Sequence, residues 1–194
     1  METDYKFMNF TTPEEAFQTL EWVEKILPEL LEDADEWCTY KVIHDDPEVR
    51  RIWRQLGDIR VCFHKIYPCD DPFLHPHPWP SIVKCLKGGY EHNIGIYNGP
   101  MSVVEALESD TLDVFSSSLL KQRTDIVPNV AYAMTDLRIF HSVKASDINW
   151  SLMIMGKPYF SGATRQYSRI APVDSKLSLL EKAELFKFAK KKYC

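Results

Sequence analysis

The spacing of hydrophobic and polar positions changes twice along the chain and divides it into three zones. In the first zone, residues 1–57, apolar side chains recur at steps of three and four residues, which predicts amphipathic helices. The segment from Thr12 to Glu15 has an N-cap, a proline and an acid in the order of a capping box. Pro28 predicts a kink or a break in this helix, and a second helix is predicted over residues 46–57.

The second zone, residues 58–170, is rich in β-branched and aromatic residues with partly alternating polarity, which predicts strands. Gly88 and Gly89 form a hairpin-type turn, and a short inserted helix is expected within residues 99–125. Many short strands joined by short turns favour a closed barrel or a sandwich. The predicted strands are 58–67, 81–86, 90–97, 127–134, 137–143 and 150–155.

The third zone, residues 171–194, predicts a C-terminal helix. Ser178 and Glu181 have the spacing of a capping box, and the basic run 190–192 suits the C-terminal end of a helix. The chain shows no internal repeat and no low-complexity linker. We therefore expect residues 1–194 to form one mainly β domain, with a helical N-terminal extension, a β-barrel and a C-terminal helix.

Composition narrows the class of protein. A chain of 194 residues that is 45% hydrophobic can form a substantial core, and a net charge of -5 disfavours binding to nucleic acid. The five cysteines form no CxxC pair, which is typical of reduced thiols. The N-terminus resembles no secretory signal, and no apolar run reaches the roughly 18 residues of a membrane span. These features predict a cytoplasmic protein.

The most informative chemistry lies in the segment from His75 to Ser81, HPHPWPS. Residues two apart in an extended backbone point to the same side, so His75 and His77 can present their rings together. Neutral imidazole is a common ligand of transition metals. The alternative is a proline-rich surface loop, since a polyproline helix would direct the two rings apart.

The surroundings of this histidine pair resemble those in the cupin superfamily. The glycine turn at 88–89 lies a strand's length downstream, and His141 stands alone within a later strand pattern. In that superfamily an HxH, a carboxylate and a glycine turn form the first motif, and the second motif adds one histidine. More narrowly, HPHPWPSIVKCLKGGYEH resembles small, often phage-encoded, cupin-like proteins. The resemblance covers residues 60–160 and implies a cupin-like β-barrel that holds a metal through His75, His77 and His141.

One position departs from the family pattern. Ser81 stands where a classical cupin has its metal-binding glutamate, and a serine hydroxyl is a poor ligand beside imidazoles. Two alternatives follow: an all-histidine triad similar to that of the thiol dioxygenases of the superfamily, or Glu91 as the fourth ligand. The implied cofactor is a divalent transition metal, with Fe(II) favoured over Zn, Ni or Mn.

Other residues are candidates for supporting roles. Glu91, Arg138 and Tyr90 are the catalytic candidates, because an inward arginine could bind a substrate carboxylate and a tyrosine could line an apolar pocket. Arg60 and Lys84 are further strand cations, for which an outward position is the default. His64 could line the barrel or be a hydrogen-bonded strand residue, and the second is preferred. His92 could be a proton shuttle or a surface residue, and the surface is preferred.

These observations support three hypotheses. The first is a metal-dependent enzyme that carries out an iron-dependent, dioxygenase-like reaction on a small molecule. The second is a non-catalytic module that binds a ligand or a protein, which a viral protein could use to contact its host. The third is a structural homodimer. The chain has no GxSxG, HExxH or GxGxxG motif that would point to another chemistry.

Overall fold

The structure is a computed structural model that describes residues 9–42, 47–70, 72, 74–99, 102–108, 120–159 and 176–194. The helices are α1 (Pro13–Leu30), α2 (Val103–Glu108) and α3 (Leu179–Tyr193). The strands are β1 (Cys38–Val42), β2 (Val49–Leu56), β3 (Ile59–Ile66), β4 (His75–Pro76), β5 (Ser81–Lys87), β6 (Tyr90–Ile96), β7 (Leu120–Ile126), β8 (Ala131–Met134), β9 (Ile139–Lys144) and β10 (Asn149–Met155). Within this described part of the chain, no helix is both long and apolar enough to span a membrane.

The strands form two antiparallel sheets. The six-stranded sheet has the order β1-β2-β3-β10-β5-β8, and the four-stranded sheet has the order β4-β9-β6-β7. All paired neighbours in both sheets run antiparallel. This architecture confirms the prediction of a mainly β protein and is consistent with the cupin-like fold that the sequence resemblance implies.

The strands β3, β5 and β10 of the six-stranded sheet are buried on both faces. Successive side chains of a strand point to opposite faces, so each strand contributes to two different environments. The outer face packs against α1 and α3 and contains the largest apolar cluster, which includes Phe63, Leu152 and Ile154. The inner face faces the four-stranded sheet, where Cys85 packs with Tyr90 and Val143. The barrel interior is therefore a separate environment from the main apolar core.

Both terminal helices begin as predicted. Of the two alternatives predicted at Pro28, a kink or a break, the break is wrong. Thr12 and Ser178 each accept a hydrogen bond from the third helical residue within a complete capping box. The helix α1 continues through Pro28 to Leu30. A proline removes one backbone donor, and here the loss falls in the last turn, while Leu27 and Leu30 remain buried against the sheet.

The predicted helix over residues 46–57 is also wrong. Residues 49–56 form β2, which pairs with β1 on one side and β3 on the other. The apolar residues Ile52 and Leu56 are four apart, a spacing that suits one face of a helix and also one face of a strand. Gly57, with φ of 57°, begins the turn into β3 and favours the hairpin. The N-terminal zone thus contributes two strands to the six-stranded sheet. Residue 46, the predicted start of the helix, lies outside the described residues.

Most strand predictions are confirmed, with shifted boundaries. β3, β5, β6, β9 and β10 lie within two residues of their predicted limits. Residues 127–130 form a turn instead of the start of a strand. In the segment 99–125 a helix occurs only at Val103–Glu108 among the residues described, whereas Leu120–Ile126 forms β7. Residues 109–119, 160–175 and the other gaps lie outside the described part.

The turn between β5 and β6 requires glycine at position 88. Gly88 has φ of +86°, and a Cβ atom there would lie 2.8 Å from the carbonyl oxygen of Ile148. We expect Gly88→Ala to lower the free energy of unfolding by about 2 kcal/mol, through left-handed strain and this backbone contact. Urea denaturation provides the measurement, with Lys87→Ala at the exposed end of β5 as the control. Equal midpoints for Gly88→Ala and wild type would contradict the prediction.

Candidate metal centre

Three histidines come together where β4 pairs with β9. His75 is the direct backbone partner of His141, and His77 lies two residues beyond His75. One ring nitrogen from each of the three can be chosen so that all lie within 4.8 Å of one another. The Nε2 atoms of His77 and His141 are 2.9 Å apart. The structure thus brings together the three residues that the sequence resemblance implied as metal ligands.

The prolines of the HPHPWP segment suit its place in the sheet. Pro76 belongs to the two-residue strand β4, which lies at the edge of the four-stranded sheet. An edge strand tolerates the missing N–H groups of proline. The rings of His75 and His77 have centroids 5.4 Å apart. The rings therefore converge, unlike the diverging pair expected of a polyproline helix.

Desolvation keeps His77 and His141 neutral. Desolvation lowers the pKa of His77 and of His141 well below the ordinary value, and the neighbouring histidines lower both further. A neutral imidazole offers a lone pair to a metal, whereas an imidazolium cannot coordinate one. Three imidazole nitrogen donors fit a divalent transition metal such as iron, zinc, nickel or manganese. The donor set is therefore chemically suited to the metal that the sequence implies.

Ser81 contacts the metal centre through a histidine. Its side chain is fully buried, and its Oγ lies 3.1 Å from Nδ1 of His77. The other nitrogen of that ring, Nε2, points at His141. A hydrogen bond to the distal nitrogen fixes the orientation and the tautomer of a ligand imidazole. Ser81 is thus positioned to orient the ring of His77.

His92 lies beside the site, whereas the sequence interpretation favoured the surface over the alternative of a proton shuttle. The sequence predicts it at the surface, but it is 1% exposed, and its Nε2 lies 2.9 Å from Nδ1 of His141. Burial, followed by the nearby His75, lowers the pKa of His92 to about 4. Its ring packs against Tyr132, with centroids 4.2 Å apart. The alternation of buried Tyr90 and His92 along β6 is the signal that could have located it.

The catalytic candidates from the sequence lie in different surroundings. Glu91 pairs with Arg123 and is adjacent in β6 to His92, so it points to the opposite face and does not join the three-histidine cluster. Arg138 is exposed and binds Asp136, so it does not point into the barrel.

Tyr90 is buried on the inner side of β6. It donates a hydrogen bond to the hydroxyl of Tyr132 at 2.9 Å, and its ring centroid is 6.2 Å from that of His92. Burial, followed by the nearby Tyr132, raises the pKa of Tyr90 well above the ordinary value, so the phenol stays protonated. It therefore supports the residues behind His141 and is not itself beside the ligand atoms.

The remaining candidates from the strands are Lys84, Arg60 and His64, and they lie in three different environments. Lys84 points to the outer face and binds Glu24 at 2.7 Å. Arg60 is exposed and lies over the ring of Trp53. His64 is buried on the inner face, and within the described residues its Nε2 has no hydrogen-bond partner. The expectation of a hydrogen-bonded strand histidine is therefore not met by that nitrogen.

The contact between Ser81 and His77 makes a testable prediction. We expect Ser81→Ala to weaken metal binding by about 10-fold, because losing an outer partner of a ligand histidine typically costs roughly 10- to 100-fold in affinity. Competition titration with a chromophoric chelator measures the change. Ser142→Ala, a buried serine next to His141 on the opposite face of β9, is the control. Unchanged affinity in Ser81→Ala would contradict the proposed contact.

Comparisons with known proteins find distant structural neighbours. No protein-family model matches the chain, and no curated protein sequence matches it. Fe(II)-HppE with the alternative substrate (S)-1-HPP is similar at 10% identity and a TM-score of 0.44, over 63% of this chain and 57% of that one. KdgF from Halomonas sp. is similar at 10% identity and a TM-score of 0.39, over 61% of this chain and 87% of that one. The formate complex of Lactobacillus farciminis oxalate decarboxylase is similar at 17% identity and a TM-score of 0.40, over 62% of this chain and 31% of that one. The chain thus spans little more than half of HppE, and these likenesses are too distant to transfer an activity.

Proposed function

We propose that this protein is a metal-dependent enzyme that acts on a small molecule in the barrel interior, with iron as its metal and a dioxygenase-like reaction. The observation that supports the proposal is the convergence of His75, His77 and His141 with ligand atoms within 4.8 Å of one another. Three protein ligands leave coordination positions open for water and substrate, which is typical of catalytic rather than structural metal sites.

The residues around the cluster have distinct tasks in this proposal. His75, His77 and His141 hold the metal, while Ser81 and His92 orient two of the rings through their distal nitrogens. A bound metal would act as a Lewis acid or, if it is iron, would activate O₂. The half-buried Trp79 lies beside the site, with its ring centroid 5.8 Å from that of His77, and packs against an apolar cluster that includes Met153.

Metal loading followed by a test for turnover examines the proposal. Protein purified without added metal is loaded anaerobically with Fe(II), Zn(II), Ni(II) or Mn(II), and metal per chain is measured by elemental analysis. The iron form is then assayed for O₂ uptake with small thiols and small organic acids. We expect one metal per chain and substrate-dependent O₂ uptake in the iron form alone.

The outcomes separate the proposed functions. If no transition metal binds tightly, the enzyme proposal is wrong. If metal binds but no substrate drives turnover, the second candidate gains support, namely a non-catalytic binding module that holds a ligand in the same barrel. Light scattering of the same samples reports whether the protein is a homodimer without affecting either conclusion.

A further inference from the structure

A second group of metal-binding side chains lies on the inner face of the six-stranded sheet. Cys62 and His64 are two residues apart in β3, so their side chains project to the same face. Met153 of β10 is the direct cross-strand partner of Cys62. The Cβ atoms of such partners lie about 4.5–5.5 Å apart, and both side chains project to the same face. A thiol, an imidazole and a thioether are thus neighbours on two adjacent strands.

The surroundings of this group are rich in sulfur. Cys62 and Met153 belong to one cluster of buried side chains that also contains Met134 and Met155. Met153 and Met155 are two residues apart in β10, so their thioethers also share the inner face. Thiolate and thioether sulfurs are soft donors, which select Cu(I) over harder divalent ions. This part of the barrel interior therefore offers a different kind of metal ligand from the three-histidine centre.

His64 provides an independent indication of a ligand. In the part of the chain that the structure describes, its Nε2 is buried and has no hydrogen-bond partner. The residue is only 7% exposed, so bulk water does not satisfy this atom. Buried polar atoms are almost always partnered, and each exception calls for an explanation such as a bound ion or water. Burial, followed by the charge of Arg51, lowers the pKa of His64 well below its ordinary value, so the neutral ring has a lone pair for a metal.

The charges around Cys62 restrict which metal fits. Burial raises the pKa of Cys62 to about 11, although the positive charges of Arg51 and Arg60 act in the opposite direction. The thiol is therefore protonated in the metal-free protein. Cu(I) bound to the thiolate forms a neutral pair, whereas a divalent ion would leave a net positive charge buried close to two arginines. Because an uncompensated buried charge is costly, a monovalent soft ion is favoured.

We propose that Cys62, His64 and Met153 bind one Cu(I) ion inside the barrel, at a site that shares no ligand with the three-histidine centre. Cys62 binds as a thiolate: its S–H bond breaks, a Cu–S bond forms and the proton leaves to the solvent, while copper keeps its oxidation state. Met153 contributes its thioether sulfur and His64 contributes Nε2. The inference goes beyond the proposed function and does not depend on it.

Anaerobic titration with Cu(I) in competition with a chromophoric chelator tests the inference. The parent protein carries Cys38→Ser and Cys194→Ser, which remove the two exposed thiols, and it is first loaded with Zn(II) to occupy the three-histidine centre. We expect one Cu(I) to bind per chain without loss of zinc. X-ray absorption at the copper edge should show two sulfur neighbours and one nitrogen neighbour. Calorimetry in buffers of different ionisation enthalpy should show the release of one proton per copper.

Variants of the three proposed ligands have a matched control in the same cluster. Met153→Leu keeps the volume and the apolar character of the side chain, and it should weaken Cu(I) binding by at least about 10-fold, since even an outer partner of a ligand is typically worth roughly 10- to 100-fold. Cys62→Ala and His64→Gln should weaken it as well. Met134→Leu is the control, because Met134 pairs with Ser81 and lies on β8, away from Cys62. Its Cu(I) affinity should equal that of the parent, and far-ultraviolet circular dichroism establishes that each variant is folded.

Three outcomes would overturn the inference. The first is that no Cu(I) binds in competition with the chelator, and the second is that folded Met153→Leu and Cys62→Ala bind it as tightly as the parent does. The third is that copper displaces zinc one for one and has only nitrogen neighbours, because it then occupies the three-histidine centre. The failure of the enzyme proposal would look different: a protein that binds no zinc but binds one Cu(I), more weakly in Met153→Leu, loses the proposed function and keeps the copper site.

Discussion

Replacing His141 by alanine is expected to abolish tight metal binding. His141 is central to the site, because its backbone pairs with His75, its Nε2 lies 2.9 Å from Nε2 of His77, and its Nδ1 contacts His92. The substitution removes one of the three proposed ligands. It also removes the ring that His92 contacts and orients. The loss of affinity should therefore exceed the roughly 10- to 100-fold that follows from losing an outer partner alone.

The measurement compares wild type, His141→Ala and His92→Gln by elemental analysis and by chelator competition. The glutamine at position 92 retains a side-chain amide that can meet the ring of His141, so this variant should keep one metal per chain with a weakened affinity. Far-ultraviolet circular dichroism of each metal-free protein establishes that the variants are folded. A folded His141→Ala protein that binds metal with wild-type affinity would disprove the role of this histidine.

Acidification is expected to destabilise the metal-free protein strongly. His64, His92 and His141 are buried and His77 is half-buried, and desolvation lowers the pKa of each below its ordinary value of 6.5. Between the lowered pKa and 6.5, the unfolded chain binds protons that the folded protein does not. The stability is therefore fully present above pH 6.5 and is lost as the pH falls below it, with His92 continuing to contribute down to about pH 4. At about pH 5 the lowered pKa of each such histidine reduces the free energy of unfolding by about 2 kcal/mol.

Urea denaturation at about pH 7.5 and about pH 5 measures this effect. The free energy of unfolding of wild type should fall by several kcal/mol from the higher to the lower pH. This is a large fraction of the stability of a typical domain. His64→Gln should lose about 2 kcal/mol less over the same interval, because glutamine does not titrate. Equal losses in wild type and His64→Gln would show that His64 is not held neutral. A wild-type stability that does not depend on pH would contradict the prediction for all four histidines.

Signals that act over a few residues predicted the corresponding parts of the fold well. The capping boxes at Thr12 and Ser178 are both formed, and the glycine turn joins β5 to β6 at Gly88. Each of these features depends on side chains and backbone groups within four residues of one another. Such local interactions can be recognised without knowing the rest of the structure.

Predictions failed where distant contacts decide the conformation. Ile52 and Leu56 have a spacing that suits a helix, but pairing with β1 and β3 places them in a strand. Pro28 predicts a kink or a break, yet α1 continues past it without a break while packed against the sheet. His92 is predicted at the surface, whereas the four-stranded sheet buries it behind His141.

The sequence by itself determined the chemistry available at the site. The alternation of histidine and proline allows the rings of His75 and His77 to share one side of an extended segment, and Ser81 stands where the resemblance places a carboxylate. Only the tertiary structure decided how these groups are used. It pairs β4 with β9, directs Ser81 to the distal nitrogen of His77, and aligns the inward residues of β2, β3 and β10. The reason is physical: strand register joins residues far apart in the chain, and no short-range pattern specifies which strands become neighbours.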